Sequence, residues 1–117
     1  MYEIDRRHMP KAVGIRIAGG IREEDFVALR SEMSELLEKT APLNVVFECD
    51  PGVVIQPAVI WDDMKFMESR AAQLGSMALV ASEDWLPMVE IVQESGFDSR
   101  YFPHSEMDAA WQWVLGA

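Results

Sequence analysis

The sequence contains few of the residues that usually indicate disulfide, metal or nucleic-acid chemistry. Its single cysteine, Cys49, excludes an internal disulfide and any metal site built from several cysteines. Its two histidines, His8 and His104, lack a partner at metal-ligand spacing, and we expect both on the surface. Only 10 basic residues stand against 20 acidic ones, a net charge of −10. This charge argues against binding nucleic acid by phosphate neutralisation and against docking on anionic membranes.

Long apolar runs are also missing. No apolar run approaches the roughly 18 residues that indicate a transmembrane helix, and residues 1–9 do not resemble a signal peptide. We therefore expect a cytoplasmic protein. Half of the chain is hydrophobic and 26% is charged, which is ordinary globular composition, and its 117 residues predict one domain over 1–117.

The periodicity of apolar residues predicts an α/β fold with the order β-β-α-β-α-β-α-β-α. The first predicted strand begins at Tyr2 and ends before Met9. The other four predicted strands cover residues 13–17, 43–49, 77–81 and 100–102. The predicted helices cover 22–39 and 57–74, a short segment after Ser82 that ends at Gly96, and a last segment after Ser105. Right-handed crossovers then give one mixed, mostly parallel sheet of four to five strands, with the first two strands antiparallel.

Three positions are predicted to delimit helices. Gly75 is expected just past the end of the second helix, where a glycine commonly adopts the left-handed conformation. Ser82 and Ser105 are expected to be the N-caps of the third and fourth helices, because a serine oxygen accepts a hydrogen bond from an early backbone N–H group.

Four segments carry a resemblance to a known family. They are Ile4-Asp5 with Val13-Gly14-Ile15-Arg16, Trp61-Asp62-Asp63-Met64-Lys65-Phe66, the strand at Ala78-Leu79-Val80 followed by Trp85, and Arg100-Tyr101-Phe102. Together they span nearly the whole chain, which resembles the SpoIIAA-like family of stand-alone domains. That family is related in fold to the STAS domains of sulfate transporters and anti-sigma-factor antagonists.

The resemblance implies a four- to five-stranded sheet with packed helices, no enzymatic activity and no cofactor. Anti-sigma-factor antagonists carry a phosphorylatable serine in a D-S-S-G setting at the start of the helix after the third strand. The corresponding stretch here, Asp50 to Pro57, contains no serine or threonine. We therefore expect a regulatory or protein-interaction domain that lacks this switch. The fold also resembles lipid-carrying CRAL-TRIO domains, which leaves an apolar ligand as the alternative.

The residues that could support catalysis do not form a convincing set. Asp62 and Asp63 are adjacent and would lie about 100° apart on a helix, so they do not converge as an acid–base pair. Gly19-Gly20 lacks the motif of a phosphate loop, and acidic residues follow it. Cys49 lies between two acidic residues, which should raise the pKa of its thiol and keep it unreactive. We therefore expect that the protein is not an enzyme.

Tryptophan and methionine are the unusual features, with 4 and 8 copies. Most of the methionines fall on inward helix faces, which indicates core packing or, alternatively, an adaptable apolar pocket between the sheet and the helices. Trp61 lies one residue off the apolar stripe of its helix and is expected at the rim, as an interface residue or a pocket lip. The predicted contact surface for a protein partner, a second copy or an apolar ligand comprises Val53, Val54, Ile55, Trp61, Met64 and Lys65.

Overall fold

The computed structural model describes residues 1–53, 62, 65–94 and 98–116. The strands are β1 (Tyr2–Asp5), β2 (Ala12–Ile17), β3 (Leu43–Cys49), β4 (Leu74–Val80) and β5 (Ser99–Phe102). The helices are α1 (Glu23–Thr40), α2, which includes residues 62 and 65–69, α3 (Leu86–Glu94) and α4 (Met107–Gly116). Short 3-10 turns cover Ala71–Gln73, Glu83–Trp85 and His104–Glu106.

The five strands form one sheet in the order β1-β2-β3-β4-β5. The pair β1 and β2 is antiparallel, and the three pairs that follow are parallel. This confirms the predicted α/β fold with a mixed, mostly parallel sheet. Because side chains alternate between the two faces of a strand, the sheet has two separate hydrophobic cores.

The larger core lies between α1 and one face of the sheet. The predicted stripe of α1 is buried, and it packs on alternate residues of β2, β3 and β4. The buried residues of α1 are Phe26, Leu29, Met33, Leu36 and Leu37. Partly buried Phe66 and Met67 of α2 pack against the same core, so α1 and α2 lie on one side of the sheet.

The smaller core lies on the opposite face, beneath α4. Ala110 and Val114 are fully buried there, and they pack with Val46, Ala78 and Val80 of the central strands. The contacts of α4 with the sheet are made chiefly with β3, β4 and β5. This helix therefore covers β3 to β5 most closely, reaches β2 at the buried residues Ala12 and Gly14, and leaves β1 and the Arg16 end of β2 uncovered.

The predicted end of the second helix is wrong. Leu74 begins β4 and pairs with Leu43, and Gly75 is a strand residue rather than the left-handed residue after a helix. Asn44 of β3 explains the glycine, because its side-chain oxygen lies where a Cβ atom at position 75 would stand. That oxygen accepts a hydrogen bond of 2.8 Å from the backbone N–H of Ser76.

The two serine caps also differ from the prediction. Ser82 does occupy an N-cap position, but it precedes the 3-10 turn Glu83–Trp85 and makes no side-chain capping hydrogen bond. Ser105 lies inside the turn His104–Glu106, whose N-cap is Pro103, so its predicted role as the cap of α4 is wrong. In both places a 3-10 turn separates the strand end from the α-helix.

Candidate functional site

The structure describes two of the six residues predicted to form a contact surface. Val53 is 7% exposed and belongs to the larger core, which corrects its expected place on an exposed patch. Lys65 is exposed on α2. The other four, Val54, Ile55, Trp61 and Met64, lie outside the described residues.

The turn that leads from β3 into this segment is tied to the sheet at its start and closed by a hydrogen bond within the turn. The backbone N–H of Asp50 donates to the carbonyl oxygen of Ile17 at 3.0 Å, and the N–H of Val53 donates to the carbonyl oxygen of Asp50 at 3.3 Å. Gly52 has a φ of +85°, in the left-handed region that favours glycine. The buried Val53 side chain completes the attachment, so the chain leaves the sheet from a defined point.

Arg16 of β2 fixes the side chain of Asp50. Its Nε donates to Oδ1 at 2.9 Å, and its Nη2 donates to Oδ2, which makes a two-bond pairing of guanidinium with carboxylate. The hydrogen bond to Arg16 is the main reason that the pKa of Asp50 is lowered. The carboxylate at the carboxyl end of β3 is therefore ionised at neutral pH.

Arg16 also lies in a row of charged residues that crosses three strands. In the strand register it stands opposite Glu3 of β1 on one side and Glu48 of β3 on the other. Its Nη1 is 3.6 Å from Oε2 of Glu3, and its Nε is 4.0 Å from Oε1 of Glu48. Since all three side chains point to the α4 face, this row supplies polar groups to the uncovered half of that face.

A cleft of about 350 Å³ occupies this uncovered half. Its volume lies within the range of roughly 300–1,000 Å³ that is common for ligand pockets. Trp111 and Met107 of α4 line one side, and both are partly buried. Gly14 lines it as well, and a Cβ atom there would stand 2.8 Å from Cζ2 of Trp111. The remaining lining residues are Glu3, Ile4, Asp5, Arg7, Ile15, Arg16, Val46 and Glu48.

The hairpin between β1 and β2 closes one end of the cleft. His8 is partly buried rather than on the open surface as predicted, and its ring centroid lies 4.7 Å from that of Trp111. Arg7 Nε donates to Oδ1 of Asp5 at 3.0 Å, and Arg7 Nη2 donates to Oδ2 at 2.6 Å. The hydrogen bond from the Arg7 side chain is the main cause of the lowered pKa of Asp5. The two arginines that line the cleft are therefore each paired with an aspartate, Arg7 with Asp5 and Arg16 with Asp50.

A second, smaller opening lies between the sheet and the helices of the larger core. It is an apolar crevice of about 50 Å³. Met33, Met67 and Met77 line it, which agrees with the predicted inward positions of Met33 and Met67. The other lining residues are Ile15, Leu29, Arg30, Val45, Phe47, Phe66 and Leu74. Its volume is small for a complete ligand but suits the end of one apolar chain.

The second histidine and the cysteine meet at the carboxyl end of β3. His104 is partly buried, which differs from the predicted surface position, and its Nε2 lies 2.8 Å from the carbonyl oxygen of Cys49. Cys49 is 4% exposed and belongs to the larger core. Within the ranges that the structure covers, no three His, Cys, Asp or Glu side chains gather as metal ligands. None of the helices in those ranges is long and apolar enough to cross a membrane.

Comparison with known proteins agrees with the fold. The searches of curated proteins and of solved structures each found no significant match. A family model described as SpoIIAA-like matches residues 12–115, which include β2 and everything that follows it up to the last turn of α4. The match covers nearly all of the sheet and both cores, and on this evidence the chain belongs to the SpoIIAA-like family.

Proposed function

We propose that this chain is a non-enzymatic regulatory domain that binds a protein partner, or a second copy of itself, through the segment after β3. The proposed contact residues are Val54, Ile55, Trp61, Met64 and Lys65. Val53 serves as the buried start of the segment and not as a contact residue.

The observation that carries this proposal is the fixed turn at 50–53. Two backbone hydrogen bonds, the pairing of Arg16 with Asp50 and the buried Val53 side chain determine where the segment leaves the sheet. The described chain thus reaches Val53 beside the carboxyl end of β3, an edge where α/β proteins commonly place their binding sites. A defined starting point lowers the conformational entropy lost on binding.

The same turn supports a domain that is not switched by phosphorylation at this place. Residues 50–57 contain no serine or threonine, and the carboxylate in the turn, Asp50, is already paired with Arg16. Binding through this segment would therefore not be switched by a phosphate on serine or threonine at this place.

We expect that Trp61→Ala and Val54→Asp each weaken association by about thirtyfold, which corresponds to the roughly 2 kcal/mol typical of an important interface residue. The measurement is light scattering coupled to size exclusion over a concentration series, together with co-purification on tagged full-length protein. Val27→Asp is the matched control, because Val27 is 56% exposed on α1 and is not one of the proposed contact residues. A monomer whose co-purifying proteins are unaffected by both variants would refute the proposal.

The apolar crevice supports a second function, a carrier or sensor for an apolar molecule. Its methionine and aromatic lining suits an alkyl group, although 50 Å³ accepts only the end of such a molecule. Native mass spectrometry of the purified protein should then show a retained adduct. Met67→Trp, which fills the crevice, should remove the adduct, whereas Val27→Trp on the exposed side of α1 should keep it. Protein without any adduct would rule this function out.

A further inference from the structure

The half of the α4 face that this helix leaves uncovered has the dimensions of a helix-binding groove. It consists of β1 and β2, which lie about 4.8 Å apart and together span about 10 Å. Ala12 and Gly14 of β2 are buried, so the accessible part of this strip is β1, Arg16 and the side of Trp111. An α-helix with its side chains is about 10–12 Å across, so one helix fits beside α4 on this strip. β1 has 4 residues, which corresponds to about 13 Å and therefore to two or three turns of a bound helix.

The charge of this strip determines which kind of helix it can bind. The carboxylates of Glu3, Asp5 and Glu48 line the cleft, and Asp50 borders it through its bond to Arg16. Among the residues that line the cleft, three carboxylates stand against two guanidinium groups, Arg7 and Arg16, so the lining carries a net charge of −1, and Asp50 adds a further carboxylate beside Arg16. An ionised carboxylate has about four lone-pair sites and can accept hydrogen bonds beyond those from one arginine.

The side of the cleft formed by α4 is suited to the same kind of partner. Trp111 lines the cleft and is partly buried, with His8 tilted against it. The ring face of tryptophan attracts a guanidinium or ammonium group, and its area also buries apolar surface. Met107, one helical turn before it, adds an adaptable apolar contact.

We propose that this strip, β1 and β2 beside α4, is a docking surface for a basic amphipathic helix of a protein partner. Arginine or lysine side chains of that helix pair with Glu3 and Glu48, and its apolar stripe lies on Trp111 and Met107. The partner helix would occupy the position that a second covering helix has in a fully covered α/β sheet. The net charge of −10 on the whole chain favours encounter with such a partner.

The residues that line this surface differ from the contact residues of the proposed function, so the failure of one proposal can be told apart from the failure of the other. The cleft is lined by residues of β1, β2, β3, α4 and the hairpin, none of which is in the contact residues of the proposed function. Trp61→Ala should leave binding at the cleft unchanged, and variants of Glu3 should leave association through the segment unchanged.

The test uses an amidated 15-residue helical peptide with a leucine stripe flanked by arginines, and the same peptide with glutamate in place of arginine. Titration into the ¹⁵N-labelled full chain should shift the amides of Glu3, Gly14, Arg16 and Glu48 and the Nε1–H of Trp111 for the arginine peptide only. The affinity should fall as salt is raised, because exposed charges are screened.

Glu3→Arg should weaken binding of the arginine peptide about tenfold or more, because it replaces an attraction with a repulsion. Glu48→Gln, which keeps the shape of the side chain, should weaken it less but measurably. Glu35→Arg is the matched control, since Glu35 is exposed on α1 on the other side of the sheet, and it should change the affinity less than about twofold. The proposal would be overturned if Glu3→Arg and Glu35→Arg weakened peptide binding equally. It would also be overturned if the amide shifts were spread over the acidic residues of α1, or if no residue of the cleft shifted.

Discussion

A methyl group added by Gly75→Ala should lower the free energy of unfolding by about 1–3 kcal/mol, the usual cost of overpacking. The new Cβ would overlap the side-chain oxygen of Asn44, which approaches the strand at that point. Asn44 has little room to move aside, because its Oδ1 accepts from the N–H of Ser76 at 2.8 Å and its Nδ2 donates to the carbonyl oxygen of Val114 at 3.2 Å. The substitution therefore disturbs the contact that Asn44 makes between β3, β4 and α4.

A double-mutant cycle identifies this cause. Asn44→Ala alone should cost about 1–3 kcal/mol, because it leaves the N–H of the buried Ser76 without its acceptor. In that background Gly75→Ala should cost clearly less than in the parent, since the overlapping atom is gone. Urea unfolding of the parent, the two single variants and the double variant gives the coupling free energy between the two substitutions. Gly20→Ala is the control, because its Cβ would meet nothing within 4 Å, and strictly additive effects of the two changes would contradict the argument.

Gly75 also shows where sequence patterns stop being informative. The spacing of apolar residues predicted helix up to Leu74, because steps of 3 and 4 continue smoothly to that position. A glycine after a helical pattern then suggests a helix end. The decisive fact is instead that Asn44, on a different strand, needs the space beside residue 75. A single sequence contains no local signal for that contact.

The parts that the sequence predicted well are those in which local periodicity and burial agree. β3 has the bounds expected from its run of β-branched and apolar residues, Leu43–Cys49. The stripe of α1, from Phe26 to Leu37, is buried as predicted. Each pattern is set by the face that the element must bury, so no knowledge of distant residues is needed to recognise it.

The cleft could be predicted only in part. Glu3 and Asp5 of β1 and Arg16 of β2 occupy alternate positions of their strands, and this alternation was a usable signal that one sheet face is charged, whereas Glu48 lies in the apolar run of β3. Nothing in the sequence indicated that α4 would stop short of β1 and β2 or that Trp111 would reach across to β2. Such contacts join residues from opposite ends of the chain, and they follow from how the helix packs rather than from local pattern.

The contact between Trp111 and Gly14 leads to a second large effect. Gly14→Ala would place a Cβ 2.8 Å from Cζ2 and 3.0 Å from Cη2 of Trp111, and 3.2 Å from Cβ of Asp5. The ring is tilted against His8 on one side, so it would have to move out of the cleft and away from β2. We expect a loss of about 1–3 kcal/mol in the free energy of unfolding.

The NMR signal of the Trp111 indole distinguishes crowding between Trp111 and residue 14 from a general loss of stability. In Gly14→Ala the Nε1–H resonance of Trp111 should shift while those of the other tryptophans stay close to their parent positions. A Trp111→Leu background removes the two ring atoms that the new Cβ would meet, so Gly14→Ala should cost less there. If the cost were the same in both backgrounds, the crowding would come from Asp5 or from the strand itself. In that case Trp111 would not depend on the glycine for its place beside β2.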